Sequence, residues 1–231
     1  MSSALGWGAL AASSLVIGAL LGLAREWPDR ALGIVLAFGA GALISAVSFE
    51  LAQDAVRIGG RAAASVGLAA GALTYFVLDR WLDLRFGDKG GTGLALGAFL
   101  DGIPEQLVLG IGIATGEGVS VGLLVAIFIS NLPESIGSSS DMRAAGTGER
   151  QITRLWIAVA VVCTLATVGG WALADSTGNT LKGGINAFAA GALLVMLIDS
   201  MIPEARRKAG LVAGLVTVLG FALSAGLSGV S

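Results

Sequence analysis

The sequence has no histidine and a single cysteine, Cys163. The first absence removes imidazole as a base, proton shuttle or metal ligand. The second excludes a disulfide framework and a cysteine-cluster metal site. Charge is scarce as well: 13% of the 231 residues are acidic or basic, against about 25% in a typical soluble domain. In its place stand 55% hydrophobic residues and 36 glycines. A water-soluble globule of this size could not hide so much apolar surface, which excludes a soluble enzyme. A formal net charge of -2 leaves no basic footprint for nucleic acid. The solvent is a lipid bilayer, and the informative residues are the few polar ones within it.

The chain reads as one all-α integral membrane domain, 1–231, with eight transmembrane helices. Residues 1–24, 31–49, 62–78, 155–174 and 209–231 carry no charge, and each stretch is close to the length that crosses about 30 Å of hydrocarbon. Three more apolar segments have the right length but contain acids. The expected spans are approximately 4–24, 31–54, 62–81, 92–114, 118–140, 154–174, 185–205 and 209–230. The first lacks the basic flank and cleavage signal of a signal peptide. Placing the N-terminus outside assigns 11 of the 14 Lys and Arg residues to cytoplasmic loops, leaving only Arg57, Arg61 and Lys182 outside. Both termini are therefore expected to be extracytoplasmic, in a multi-pass protein of the cell (plasma or inner) membrane. Small-xxx-small pairs such as Gly18/Gly22 and Gly67/Gly71 read as close packing within one bundle in preference to a dimer seam.

Two sequence repeats suggest internal symmetry. Phe38-Gly-Ala-Gly-Ala-Leu-Ile reappears 150 residues later as Phe188-Ala-Ala-Gly-Ala-Leu-Leu, and the match extends to Asp54-Ala55 against Glu204-Ala205. Gly102-Ile-Pro-Glu105 reappears after 29 residues as Asn131-Leu-Pro-Glu134. In the topology above, the members of each pair run in opposite directions. This is the pattern of an inverted-repeat transporter, with spans one to three mirrored by six to eight and spans four and five related to each other.

The second repeat holds the chemistry. Asp101 and Glu105 are four residues apart and share a helix face, as do Ser130, Asn131 and Glu134 on the next span. Counting from the span ends places both groups near the bilayer centre. Each carboxylate there costs about 2.5–3.5 kcal/mol on insertion scales. Within the expected spans Lys and Arg occur only at the ends, as Arg80 and Arg154, so protons or a bound cation must supply the compensating charge at the centre. Pro104 and Pro133 have no N–H, which frees the carbonyls of Leu100 and Ile129 to act as oxygen ligands at the same depth. Acids, freed carbonyls and kinked helices at one level describe a cation site lining a path. Asp199, in span seven, is an accessory ligand or a hydrogen-bonding residue. Glu50 and Asp54 read better as a solvated or Arg57-paired helix end than as an entrance site. Asp141 and Glu204 read as interface charges beside Arg143 and Arg206, and Met142 and Met196 as packing residues.

At these residues the sequence resembles the ZIP (Zrt/Irt-like protein) family of divalent-metal transporters, in particular a distant prokaryotic branch lacking the usual histidine ligands. The resemblance rests on eight spans, an FxAG opening of spans two and seven, and the paired Pro-Glu motifs. It implies a 3+2+3 inverted-repeat bundle and a metal site at the pore centre. It places Asp101, Gly102 and Glu105 at the ligand positions of span four, and Ser130, Asn131 and Glu134 at those of span five. A homodimer is common among relatives. The cargo it implies is a divalent cation: zinc by default, with manganese, iron or cadmium alongside. Asp101 stands where the family pattern has His, Gly102 where it has Asn, and Gln106 and Ser135 where it has Gly. An all-oxygen site suits harder ions better than imidazole does, so a weaker preference for zinc over manganese is expected.

The expected function is uptake of divalent metal ions into the cytoplasm, with no enzymatic activity and no required cofactor. No GxxxxGK[ST] loop is present, so ion gradients would drive transport. Two alternatives use the same acids. One is a proton-coupled carrier or proton channel that binds no metal. The other is an intramembrane hydrolase built on an aspartyl pair or a carboxylate-held metal, which the spacing does not favour.

Overall fold

A computed structural model describes residues 1–86, 91–114, 121–176 and 178–228. All secondary structure among the described residues is helical. Helix α1 spans Ser2–Ala24 and α2 spans Asp29–Ala46. A π-helical turn, Val47–Ala52, leads from α2 into α3, Gln53–Phe86. Next come α4 (Gly91–Ala114), α5 (Val121–Ala144) and α6 (Glu149–Ser176). Helix α7, Asn179–Met196, also ends in a π-helical turn, Leu197–Met201. Helices α8 (Ile202–Ala209) and α9 (Val212–Ser228) complete the chain.

Five described helical runs are long and apolar enough to cross a membrane: Ser2–Ala24, Asp29–Leu82, Val121–Ala144, Glu149–Ala174 and Asn179–Ala209. Shorter apolar helices cover Gly102–Ala114 and Val212–Leu227. The Asp29–Leu82 run is 54 residues long, or about 81 Å of helix, far more than one crossing needs. Where the sequence suggests a loop between spans two and three, the chain breaks only at Gly60 (φ 80°, ψ 164°). That region is essentially restricted to glycine.

The bundle is apolar outside, and a small group of polar residues is buried within a largely apolar interior. Leu73, Val66, Leu215 and Leu165 are more than half exposed, while Glu105, Gln106, Ser130, Asn131 and Ser135 are buried. Water would reject that outer surface, whereas lipid accepts it. Without a hydrophobic drive between helices, close backbone approach must hold the bundle together. Glycine makes that approach possible. A Cβ on Gly41 of α2 would strike the Thr217 carbonyl of α9, and one on Gly191 of α7 would strike the Leu68 carbonyl of α3. Gly22 of α1 lies on the Ile136 carbonyl of α5, and Gly170 of α6 lies on the Leu107 carbonyl of α4.

Several of these features recur at the 150-residue spacing seen in the sequence. Helices α2 and α7 both contain 18 residues, and their π-helical turns start at Val47 and Leu197. The positive-φ breaks after those turns fall at Gly60 and Gly210. Gly33 and Gly183 occupy equivalent close contacts, with Ala209 and Gly59 respectively.

Replacing Gly191 by Leu should separate α7 from α3 and destabilise the fold by about 1–3 kcal/mol, the usual range for overpacking. The same change at Gly169, where a Cβ would meet nothing within 4 Å, should be tolerated. Melting temperatures of the two detergent-solubilised variants give the comparison.

Candidate metal centre

Helices α4 and α5 carry the two Pro-Glu motifs and pack against each other. Pro104 and Pro133 both lie inside their helices, where each removes one i to i−4 hydrogen bond. Glu105 is 1% exposed and Ser130 is 1% exposed. The Ser130 hydroxyl lies 3.4 Å from Glu105 Oε1 and 3.0 Å from the Ile127 carbonyl. Its one proton is divided between these acceptors, with the shorter contact within its own helix. Ser130 of the second motif therefore meets the acid of the first in the interior. Glu134 is half-buried.

Asn131 is also buried, and its Nδ2 finds no hydrogen-bond partner among the described residues. A buried amide without a partner loses about 1–3 kcal/mol of solvation. Rotating the amide by half a turn would present Oδ1 at the same point. An oxygen donor beside Glu105 and Ser130 suits a cation. Asp101 belongs to α4, but its side chain lies outside the described residues. Among those described, no three His, Cys, Asp or Glu side chains form a ready metal cluster.

The remaining acids are dispersed. Asp199 is exposed on the π-helical turn that follows α7 and is not drawn into the buried group. Asp54 pairs with Arg57 at 2.9 Å, and Asp141 is exposed. Glu204 pairs with Lys208 at 2.7 Å and with Arg207 at 3.8 Å, rather than with the neighbouring Arg206. Met142 and Met196 are buried within apolar clusters.

Three residues that the sequence analysis gave no part in the site lie at or near it. Cys163 of α6 is buried, and its sulfur lies 2.7 Å from where a Cβ on Gly102 would sit. The thiol takes the space that a larger residue at position 102 would need. Gln106 turns toward α6, where the Thr167 hydroxyl donates to its Oε1 at 2.5 Å. Lys208 turns inward from α8: its side chain is only 12% exposed, and its ammonium is 3.2 Å from the Cβ position of Gly137. The 29-residue repeat located the acids. Only the Glu204/Lys208 spacing of four residues hinted at the lysine.

No family model matches the chain. Over 146 residues it is 24% identical to zinc transporter SLC39A7 of Mus musculus, an alignment covering 58% of the chain and 31% of that protein. With zinc transporter SLC39A7 of Homo sapiens it shares 28% identity over 150 residues, covering 61% of the chain and 31% of the relative. The match to the Pongo abelii protein has the same figures. The chain thus aligns with about a third of the length of these relatives. Together with the apolar helices, the similarity supports a ZIP-like relationship and a multi-pass membrane protein.

Replacing Thr167 by Val should leave the buried Gln106 amide without its partner and cost about 1–3 kcal/mol. Replacing Gln106 by Leu removes both polar ends together and should cost less. Thermal unfolding of the two variants in detergent will show whether they rank in that order.

Proposed function

We propose that the protein carries divalent metal ions across the cell membrane into the cytoplasm. The ligands are Asp101, Glu105, Asn131 and Glu134, with Ser130 in support. The observation that carries this reading is the buried meeting of Ser130 with Glu105 across α4 and α5. It joins the two Pro-Glu motifs at one point, beside an amide that lacks a partner. A divalent ion would offset carboxylates that are otherwise costly within hydrocarbon. It would also draw on the carbonyls of Leu100 and Ile129, released by Pro104 and Pro133. Similarity to proteins named as zinc transporters favours metal over protons as the cargo. Exposed Asp199 is left out of the ligand set.

The proposal extends to the architecture. Eight spans in a 3+2+3 inverted repeat, both termini outside, would pair α2 with α7 and α4 with α5. The equal helix lengths, π-helical turns, glycine breaks and glycine contacts at 150-residue spacing support that reading. Transport would then be alternating access by rocking of one repeat against the other. The protein would be a histidine-less branch of the ZIP family, prokaryotic in its motif pattern, with neither enzymatic activity nor a resident cofactor.

The test is metal flux into proteoliposomes, with zinc, manganese, iron(II) and cadmium supplied separately. Wild-type protein should carry at least one of them, and Glu105→Ala and Glu134→Ala should each lower flux about tenfold or more, as loss of a ligand contact does. Manganese should compete effectively with zinc, because the donors are oxygens. A strong zinc preference would contradict the hard-site reading. Absence of flux for every metal in folded protein would transfer the acids to the proton-relay alternative.

A further inference from the structure

We propose that Lys208 is a built-in cation standing in the α2–α5 seam, which sets a charge barrier for metal ions passing between the Pro-Glu centre and the α8 end of the bundle. The proposal rests on the transport reading above and adds a selectivity element to it.

Glycine contacts locate the lysine. At the level of the centre, a Cβ on Gly39 of α2 would lie 3.0 Å from Ser130 Cα of α5. Six residues earlier on α2, Gly33 meets the Lys208 Cβ and the Ala209 nitrogen. Seven residues later on α5, Gly137 meets the Lys208 ammonium. At 1.5 Å per residue these steps are about 9 and 10.5 Å. The two helices therefore run antiparallel, and Lys208 occupies their seam about 10 Å from the level of Ser130. Gly33 and Gly137 together form the slot: a side chain at position 33 would collide with the lysine's stem and backbone, and one at 137 would crowd its ammonium.

The side chain also takes an unusual direction. A lysine at a membrane edge normally extends its head into water. Lys208 is 12% exposed along its side chain, and its charge is held inside by Glu204 at 2.7 Å. Arg207 shares that carboxylate from 3.8 Å, so a single acid serves two bases and leaves net positive charge at this end. Beyond Glu134, α5 carries buried Ser135 before the lysine level at Gly137, and buried Ser138 and Ser139 just past it. The Ser139 hydroxyl has no hydrogen-bond partner among the described residues. Small polar side chains of α5 thus stand on both sides of the lysine level, Ser135 turning toward Gly18 of α1. A fixed positive charge at that level repels a divalent ion twice as strongly as a monovalent one.

The test uses Lys208→Met, which keeps the length and apolar stem but removes the charge, and Lys208→Arg, which keeps the charge. Both are first checked for monodisperse elution and a wild-type melting temperature, with Lys208→Gln replacing Met if packing suffers. In proteoliposomes, Lys208→Met should raise manganese flux about threefold or more while Lys208→Arg stays near wild type. A second measurement requires no transport. In a Cys163→Ala background, Ser138→Cys is labelled with a cationic and a neutral methanethiosulfonate of similar size. Removing the lysine charge should raise the cationic-to-neutral rate ratio several-fold. An unchanged ratio overturns the proposal, whatever the flux. Wild-type protein that carries no metal, with a ratio that still rises, would defeat the transport reading alone.

Discussion

Close contact between a glycine and a carbonyl oxygen of the neighbouring helix is the constraint on which this bundle depends. It recurs where α2 meets α9, α3 meets α7, α1 meets α5 and α4 meets α6. Lipid is as apolar as leucine, so apolar side chains gain little by leaving it for one another. Backbone packing and dispersion must supply the cohesion, and glycine allows the shortest approach. The abundance of glycine in this chain is therefore a structural requirement rather than a source of flexibility.

That constraint also shapes the interior. Helices drawn this close leave room for small polar residues, and α5 is lined by Ser130, Asn131, Ser135, Ser138 and Ser139. Glu105 enters this lining from α4 and meets Ser130. Around the centre, shape complementarity assigns roles that are invisible in a motif. Cys163 fills the space at Gly102, and Gln106 ties α4 to Thr167 of α6. The Gln106 bond ties α4 to a helix outside the Pro-Glu pair and so helps to fix its orientation.

The helical breaks have a related origin. A π-helical turn leaves a helix with a local excess residue and a shifted face. Here such turns follow both α2 and α7, and each is followed by a glycine at positive φ. The chain reverses or bends there without a long polar loop, which keeps backbone groups paired in a medium that offers no water. This explains why charge-free intervals mark the helices well but locate the joint at Gly60 poorly. Arg57 and Arg61 interrupt the hydropathy while the helix continues on either side of a single residue.

By itself, the sequence determined the solvent of the protein, through its apolar composition, and the two places where acid and proline coincide. Both follow from local chemistry, since burial cost and the missing proline N–H do not depend on the fold. The 150-residue and 29-residue repeats were legible for the same reason, as identities along the chain. Tertiary structure alone decided which helix faces turn inward. In a soluble helix the polar face announces its direction, but here both the exterior and much of the interior are apolar, and that signal is weak. Hence exposed Asp199 and inward-turned Lys208 could not be separated by their positions in the chain. The glycine contacts select those faces, and they exist only between helices far apart in sequence.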